Sequence, residues 1–311
     1  MTRANDTAVV IRGVTKTFGA HTAVNDLNLT VPRGTVYGFI GPNGSGKTTT
    51  LRMIMRILHP DLGEVEVLGG RTMRAANDRV GYLPEERGLY KSMTVRNVLQ
   101  FYAELKGVRR ARPAIDEWLE RMGLAEWAGK KVQALSKGMA QKVQFIAAVV
   151  SKPDLVLLDE PFSGLDPVNL ETLREAVLDL RRDGATVIFS THDMNVAERM
   201  CDSIFMIYRG KKVLDGTLES IQAAYGSDTV RVRLDSNGGV PGSMPGVLKL
   251  TDFGRYQELR LADGVDSQAV LAALMARGRV SHFELARPSL HDIFVRIAAP
   301  ETVETAGNNH A

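Results

Sequence analysis

Residues 41–48, with the sequence GPNGSGKT, constrain the fold of this chain more than any other stretch. They match the pattern G-x-x-x-x-G-K-[ST], a loop whose backbone N–H groups curl around a phosphate chain. An apolar run at residues 36–40 precedes the loop. Apolar residues follow it at helical spacing, among them Leu51, Ile54 and Leu58. The motif requires a strand, a glycine-rich loop and a helix in this order, so the sequence predicts a phosphate-binding site.

The loop and the residue after it are the candidates for binding nucleotide phosphates: Gly41, Pro42, Asn43, Gly44, Ser45, Gly46, Lys47, Thr48 and Thr49. The start of the following helix adds partial positive charge beside them. Lys47 is predicted to reach the β- and γ-phosphates and to take part in catalysis. The Thr48 hydroxyl is predicted to bind Mg²⁺. The expected ligands are therefore ATP and Mg²⁺.

The composition is that of an ordinary globular protein. The 311 residues suffice for one large domain or two smaller ones, and 44% are hydrophobic while 24% are charged. A formal net charge of +3 is too small to indicate nucleic acid, and we expect no such partner. The single cysteine, Cys201, excludes a disulfide within the chain, suits a reducing cytoplasm, and is expected to be a small core residue.

The hydropathy pattern predicts no membrane-spanning segment. No apolar run approaches the roughly 20 residues that a membrane helix needs. The first seven residues lack the apolar core of a signal peptide. A membrane role, if the protein has one, is expected to come through a partner.

Two apolar runs end in polar residues that suit phosphate chemistry. Residues 155–158 are followed by Asp159 and Glu160, and residues 186–189 lead to His192. Such runs are typical of strands buried on both faces of a parallel sheet, whose carboxyl ends bind ligands. Asp159 is a candidate Mg²⁺ ligand, and Glu160 is a candidate acceptor for the proton of an attacking water. His192 is a candidate contact of the γ-phosphate.

The spacing of apolar residues predicts an α/β fold. Strands alternate with helices after the loop, which favours a parallel sheet. Runs at 8–18 and 24–31 predict a small antiparallel β-layer beside it. Helical patterns at about 90–150, with Thr94 as an N-cap, predict a helical insert between the loop and the later strands. The expected fold is that of a P-loop NTPase.

Three further residues are weaker candidates for nucleotide binding. Phe18 ends the first strand-like run, and its ring could stack on a purine or lie in the core, with nothing in the sequence to decide. Ser136 and Gly138 open a helix whose later residues are apolar, which makes a second helix N-terminus suited to an anion.

The character of the chain changes after about residue 225. Alternating apolar residues, a Gly/Pro-rich break at 237–246 and an amphipathic helix at 266–277 predict a small α+β domain over 226–299. His282 and His291 have no partner acids at a usual ligand spacing, so we expect structural roles for them. Residues 300–311 are polar and are expected to form a flexible tail.

The order of these motifs resembles that of the ATP-binding subunits of ABC transporters. The resemblance covers roughly residues 8–220, and we therefore assign residues 1–225 to the ATPase domain. The resemblance implies two subunits docked head-to-tail, with each ATP between the phosphate loop of one copy and Ser136 and Gly138 of the other. It implies that residues 163–166 lie along this interface and that Phe18 stacks on adenine. It also implies a membrane permease partner, ATP hydrolysis, and a peripheral location at the cytoplasmic face of the membrane.

The chain departs from the family pattern in two places. Glu85 stands where the family usually has a glutamine, and could still coordinate Mg²⁺. The usual signature Leu-Ser-Gly-Gly-Gln carries Lys137 and Met139 instead. With these changes and the sequence at 287–294, the chain resembles the sodium- and multidrug-efflux subgroup of exporter ATPases, which has a small C-terminal domain.

One alternative function and one further role remain open. The chain could be a soluble ATP switch of the same fold that acts on the ribosome or on DNA, although it holds one ATPase unit and no heptad array. The C-terminal domain could regulate the ATPase or stabilise its dimer. The sequence names neither a transported substrate nor its direction.

Overall fold

A computed structural model of the protein describes residues 6–70, 79–86, 88–226, 229–235, 244–262 and 264–298. Contacts divide the chain into two compact units, with the division between Leu218 and Glu219. The predicted tail at 300–311 lies outside the described residues, as does part of the predicted Gly/Pro-rich break.

The first unit is built from strands in two sheets and from helices that cover them. Its strands are β1 (Thr7–Phe18), β2 (His21–Pro32), β3 (Val36–Ile40), β4 (Leu62–Val67), β5 (Val80–Leu83), β6 (Leu155–Asp159), β7 (Thr186–Thr191), β8 (Ser203–Tyr208) and β9 (Lys211–Gly216). Its helices are α1 (Lys47–Ile54), α2 (Val95–Leu105), α3 (Arg112–Arg121), α4 (Lys137–Val149), α5 (Pro167–Arg182) and α6 (Met194–Met200).

The central sheet has the strand order β5-β6-β7-β3-β8-β9. All neighbouring pairs are parallel except β8 and β9. Every residue of β3, β6 and β7 is buried, which explains their continuous apolar sequences. The predicted parallel α/β sheet is therefore confirmed. Because β6, β7 and β3 are consecutive and parallel in the sheet, the segments that follow them lie at one edge.

The predicted antiparallel layer is also confirmed. It is a three-stranded sheet in the order β2-β1-β4, with Phe18 opposite His21 at the turn between β1 and β2. Its inward residues share one core with β3, α1 and neighbouring strands, through Leu27, Phe39 and Leu51 among others. This shared core places the β1–β2 turn beside the loop that precedes α1.

The predicted helical insert consists of α2 and α3, which pack on α4 in a second apolar core. Thr94 caps α2 as predicted, since its Oγ1 accepts a hydrogen bond of 3.3 Å from the N–H of Asn97. The pattern over 113–150 is less continuous than the sequence indicated, because short 3₁₀ turns separate α3 from α4. Cys201 packs against this core, as expected, and burial raises the pKa of its thiol.

Helix α1 is shorter than its apolar spacing indicated. Apolar residues continue at helical spacing to Leu58, but α1 ends at Ile54. Arg56 has a φ of 57°, in the left-handed region that helices do not propagate through. Leu58 lies beyond the helix and packs against the core that the β-layer shares with β3 and α1.

The second unit has the predicted α+β character. Helix α7 (Leu218–Ala224) leads into it, followed by β10 (Thr229–Leu234), β11 (Val247–Asp252), β12 (Gln257–Leu261), α8 (Ser267–Met275), β13 (Val280–Ala286) and α9 (Leu290–Ala298). The strands form an antiparallel sheet in the order β11-β12-β10-β13, around a small core that includes Val232, Leu259 and Leu274. His282 lies on the exposed side of β13, with its Nε2 3.4 Å from Oε2 of Glu284.

Candidate functional site

A cleft of about 420 Å³ opens at the carboxyl end of β3. It is lined by Phe18, His21, Ala23, Asn43, Gly44, Ser45, Gly46, Lys47, Thr48, Thr49, Glu85 and Glu160. These residues come from the β1–β2 turn, the loop before α1, the segment after β5 and the end of β6. The sheet order thus gathers most of the predicted phosphate-binding residues into one cavity.

The glycines at 41 and 46 let the backbone of the loop pass close to neighbouring chain. A Cβ atom at Gly41 would lie 2.3 Å from the carbonyl oxygen of Ile207, and one at Gly46 would lie 2.6 Å from that of Ala23. Gly46 also has a φ of 113°. No other residue type fits there, and this tight path turns the chain directly into α1.

Lys47 is buried at the start of α1 with its ammonium group turned back over the loop. Its Nζ donates hydrogen bonds to the carbonyl oxygens of Gly41 at 2.7 Å and Pro42 at 3.3 Å. The same atom lies 3.5 Å from Oε1 of Glu160, and the two side chains are 6% and 8% exposed. The positive charge is therefore held where the loop encloses the cleft.

Asp159 has the surroundings of a divalent-cation ligand. Its Oδ1 accepts hydrogen bonds from Thr48 Oγ1 at 3.1 Å and Ser190 Oγ at 2.5 Å. Its Oδ2 is buried and has no hydrogen-bond partner among the described residues. A carboxylate oxygen and a hydroxyl beside a phosphate loop fit Mg²⁺, which also takes phosphate oxygens and water as ligands. The described residues contain no cluster of three or more His, Cys, Asp or Glu side chains that could hold a metal.

Glu160 follows Asp159 at a point where the chain leaves the sheet with a φ of 49°. Its N–H donates to Ser190 Oγ at 2.9 Å, and its Oε2 lies 3.0 Å from His192 Nδ1. Its Oε1 is buried and accepts no hydrogen bond from the described residues. A strained backbone position and an unsatisfied carboxylate oxygen are common at functional sites. His192 is about half exposed, so it can meet both Glu160 and a ligand.

Phe18 and Glu85 are two exposed residues that line the cleft. Phe18 is 48% exposed and the ammonium of Lys16 lies 5.5 Å from its ring centroid. Of the two alternatives left open by the sequence, a core position for Phe18 is therefore wrong. Glu85 is exposed and also lines the cleft. Burial, followed by the charge of Asp159, raises the pKa of Tyr82 in the preceding strand.

Ser136 and Gly138 are not among the residues that line the cleft. Ser136 caps α4, with its Oγ accepting a hydrogen bond of 3.3 Å from the N–H of Met139, and its side chain is exposed. Within one chain the Lys137 ammonium lies over Gly164, where a Cβ atom would be 2.8 Å from Nζ. A single chain thus does not bring the start of α4 to its own phosphate loop.

The sequence analysis missed several residues that shape the site. Ser190 bridges Asp159 and the N–H of Glu160, and its signal was a polar residue ending the apolar run before His192. His21 lines the cleft because the β1–β2 turn is tight, and no sequence pattern indicated it. Gln141 and Gln144 on α4 donate to loops near the cleft, and in the sequence they look like polar interruptions of an apolar helix.

No helix in the described parts of the chain is long and apolar enough to span a membrane.

Comparison with known proteins gives family matches on both units of the chain. The ABC transporter family matches residues 24–163, which contain the phosphate loop, the start of α4 and Glu160. A family described as the C-terminal domain of DrrA1-3-like ATP-binding proteins matches residues 216–298. These two matches fall on different parts of the chain, the first on the unit that holds the phosphate loop and the second on the α+β unit.

Individual proteins support the same relationship along nearly the whole chain. The ABC transporter ATP-binding protein YhaQ of Bacillus subtilis is 42% identical, over 92% of this chain and 97% of its own length. The daunorubicin resistance ATP-binding protein DrrA3 of Streptomyces coeruleorubidus is 33% identical, over 95% of this chain and 97% of its own length. A solved structure of an ATP-binding subunit of an ABC transporter, 29% identical, covers 70% of this chain and 93% of that chain with a TM-score of 0.67. The chain therefore belongs to the ATP-binding proteins of ABC transporters and carries a DrrA-like C-terminal domain.

Proposed function

We propose that this chain hydrolyses ATP and that hydrolysis powers a separate membrane-spanning exporter subunit. The observation that carries the proposal is the set of contacts after β3 and β6, where Thr48 binds Asp159 and Lys47 lies beside Glu160. Export is supported by the names of two relatives, a daunorubicin resistance ATP-binding protein and a Nod factor export ATP-binding protein. The match of the C-terminal unit to the DrrA-like family supports the same subgroup.

In the proposed reaction, the phosphate loop and the N-terminus of α1 bind the phosphates of ATP, and Phe18 stacks on adenine. Thr48, Asp159 and Glu85 would hold Mg²⁺, which when bound neutralises charge on the β- and γ-phosphates. The buried ammonium of Lys47 stabilises negative charge that develops on the γ-phosphate.

Glu160 is the proposed acceptor for the proton of the attacking water. The water oxygen bonds to the γ-phosphorus while the bond to the bridging oxygen of ADP breaks, and the water proton passes to a carboxylate oxygen of Glu160. His192, 3.0 Å from the other carboxylate oxygen, orients Glu160 and reaches the γ-phosphate. The products are ADP and inorganic phosphate.

A second copy of the chain completes the proposed site. Ser136 and Gly138 lie at an exposed helix N-terminus outside the cleft of their own chain, and such a terminus suits a phosphate. Two copies docked head-to-tail would supply it to each other's ATP, with residues 163–166 at the interface. ATP would close this dimer and hydrolysis would reopen it. The dimer would act at the cytoplasmic face of the membrane through its permease.

In this arrangement residues 1–225 form the ATPase domain and residues 226–299 form an accessory domain. The accessory domain regulates the ATPase or stabilises its dimer. Removing residues 226–311 tests this role: unchanged dimerisation and ATP hydrolysis would remove it.

The experiment for the main proposal measures ATP hydrolysis and ATP binding on the purified chain. Glu160→Gln is expected to bind ATP and to lose turnover by at least about 100-fold. Lys47→Ala is expected to lose ATP binding. Glu171→Gln on the exposed side of α5 is the matched control and should behave as the wild type. Full turnover by Glu160→Gln would show that another group accepts the proton.

The transport part of the proposal has its own test. The chain is expected to co-purify from membranes with a protein of several apolar spans. Stable co-purification with ribosomes or DNA, together with normal ATP hydrolysis, would support the ATP-switch alternative and contradict transport.

A further inference from the structure

Glu85 enters the cleft on a short segment that is held by a side chain from α4. The Nε2 atom of Gln144 donates hydrogen bonds to the carbonyl oxygens of Pro84 at 3.2 Å and Glu86 at 3.0 Å. These two carbonyls lie on either side of Glu85. Because one amide group binds both, it fixes the backbone from which the Glu85 side chain projects.

Burying the amide of Gln144 costs free energy, which its hydrogen bonds to Pro84 and Glu86 offset. Gln144 is 6% exposed, and its neighbours Val143, Phe145 and Ile146 are completely buried. An apolar side chain of the same length would fill this space without the loss of hydration that a buried amide suffers. Both N–H groups of Gln144 are used on the Glu85 segment, so the amide serves that segment.

Gln141 makes a similar connection one helical turn earlier. It is 7% exposed, and its Nε2 donates at 2.8 Å to the carbonyl oxygen of Pro161, the residue after Glu160. Residues three apart lie on the same face of a helix. One face of α4 therefore binds both the segment that carries Glu85 and the segment that carries Glu160.

Helix α4 is also fixed directly against the strand that leads to Glu85. A Cβ atom at Gly81 in β5 would lie 2.1 Å from the carbonyl oxygen of Ala148, so backbone contacts backbone at this point. Strand β5 is at the edge of the central sheet and pairs only with β6 in the described structure. The packing at Gly81 and the hydrogen bonds of Gln144 join β5, the Glu85 segment and α4 into one body.

We propose that Gln144 is a positioning residue for Glu85, which directs the carboxylate into the cleft and makes it follow any movement of α4. Ser136 caps α4 eight residues before Gln144, about 12 Å along the helix. A phosphate bound at that end would therefore influence the acid in the cleft of the same chain. The inference rests on the proposed ATPase function, in which Glu85 is a candidate Mg²⁺ ligand.

The first test measures hydrogen exchange and needs no hydrolysis. Gln144→Met keeps the length of the side chain and removes its donors. Exchange at the amides of Glu85 and Glu86 is expected to speed up by about tenfold or more. Gln100→Met is the matched control, because Gln100 on α2 also donates two hydrogen bonds, to Glu104 and Arg109. Unchanged exchange in Gln144→Met would overturn the proposal whether or not the protein is an ATPase.

The second test separates positioning from a general structural role. Gln144→Met is expected to raise the Mg²⁺ concentration for half-maximal ATP hydrolysis by roughly tenfold, as loss of a group that orients a ligand does. In a Glu85→Gln background, Gln144→Met should have little further effect, because both substitutions remove the same function, a correctly placed Glu85 carboxylate. Gln100→Met should leave the Mg²⁺ dependence unchanged. Additive effects of Gln144→Met and Glu85→Gln would overturn the inference, while absence of hydrolysis in the wild type would overturn the proposed function.

Discussion

The Nζ atom of Lys47 lies 3.5 Å from Oε1 of Glu160, and both side chains are less than one tenth exposed. The two residues follow β3 and β6, which are not neighbours, since β7 lies between them in the sheet. The contact thus ties the phosphate loop to the strand end that carries the two acids. Each charge reduces the unfavourable burial of the other, so the pair affects stability as well as chemistry.

Removing one member of this pair is expected to destabilise the protein. Lys47→Met leaves Glu160 buried without the lysine charge beside its Oε1, which should lower the free energy of unfolding by about 3 kcal/mol. Adding Glu160→Gln should restore much of that loss. Arg174→Met removes an exposed pair with Glu171 and should change stability by less than about 1 kcal/mol. Urea unfolding without nucleotide measures the three variants and the wild type, and equal stabilities of Lys47→Met and wild type would contradict the prediction.

His192 is expected to affect turnover more than binding. Its Nδ1 lies 3.0 Å from Glu160 Oε2, and its half-exposed ring takes little part in the core. His192→Ala should lower the rate of ATP hydrolysis by roughly 10- to 100-fold, while ATP affinity and thermal stability stay near the wild type. His21→Ala, which changes a residue that lines the cleft, is the comparison and should change affinity more than rate. A His192→Ala variant that hydrolyses ATP at the normal rate would rule out its role.

Ser190 is expected to contribute to both stability and catalysis. Ser190→Ala removes the donor to Asp159 and leaves the N–H of Glu160 without its partner. The lost hydrogen bonds should cost about 1–3 kcal/mol in the free energy of unfolding, and the displaced acids should slow hydrolysis. Thr186→Val in the same strand removes a buried hydroxyl that accepts from Gly34, far from the acids. Thr186→Val should therefore lower stability without slowing hydrolysis. Equal loss of activity in Thr186→Val and Ser190→Ala would contradict a specific role for Ser190.

Asp166 is expected to make part of the stability depend on acid pH. The hydrogen bond from the Asn169 backbone N–H, and then that from the Asn169 side chain, lowers the pKa of the Asp166 carboxyl. Its stabilisation of the N-terminus of α5 is therefore present above the unfolded-state pKa of about 3.9 and is lost as the pH falls through the lower folded-state pKa. Asp166→Ala should be less stable than wild type at pH 7, and this difference should shrink below about pH 4.

The control for this prediction is Asp166→Ser, because serine caps helices well and does not titrate. Its unfolding midpoint relative to Asp166→Ala should stay constant from pH 7 to pH 3. A difference between wild type and Asp166→Ala that does not change with pH would show that the carboxylate form is not what stabilises α5.

The sequence predicted the elements of the cleft because each has a local pattern. The phosphate loop is a contiguous motif, and its glycines require the backbone path that the structure has at Gly46. The strands before Glu160 and His192 are unbroken apolar runs, which places their polar ends at one edge of a parallel sheet. The helical insert and the C-terminal α+β unit follow from periodicity in the same way.

Residues whose role depends on contacts across the fold could not be predicted in this way. Ser190 connects Asp159 to Glu160 only because β6 and β7 are neighbours, and Gln144 reaches the Glu85 segment only because α4 packs on β5. Arg56 ended α1 through a left-handed turn that apolar spacing does not reveal.

The sequence by itself determined the family, the ATP-binding chemistry and the two-part organisation, since short motifs and periodic patterns carry that information. The tertiary structure decided that Phe18 faces the cleft, that Lys47 pairs with Glu160, and that Ser136 lies away from the cleft of its own chain. These outcomes depend on strand order and on which helix packs against which strand. Such long-range contacts leave no periodic trace in the chain, because they join residues that are far apart in the sequence.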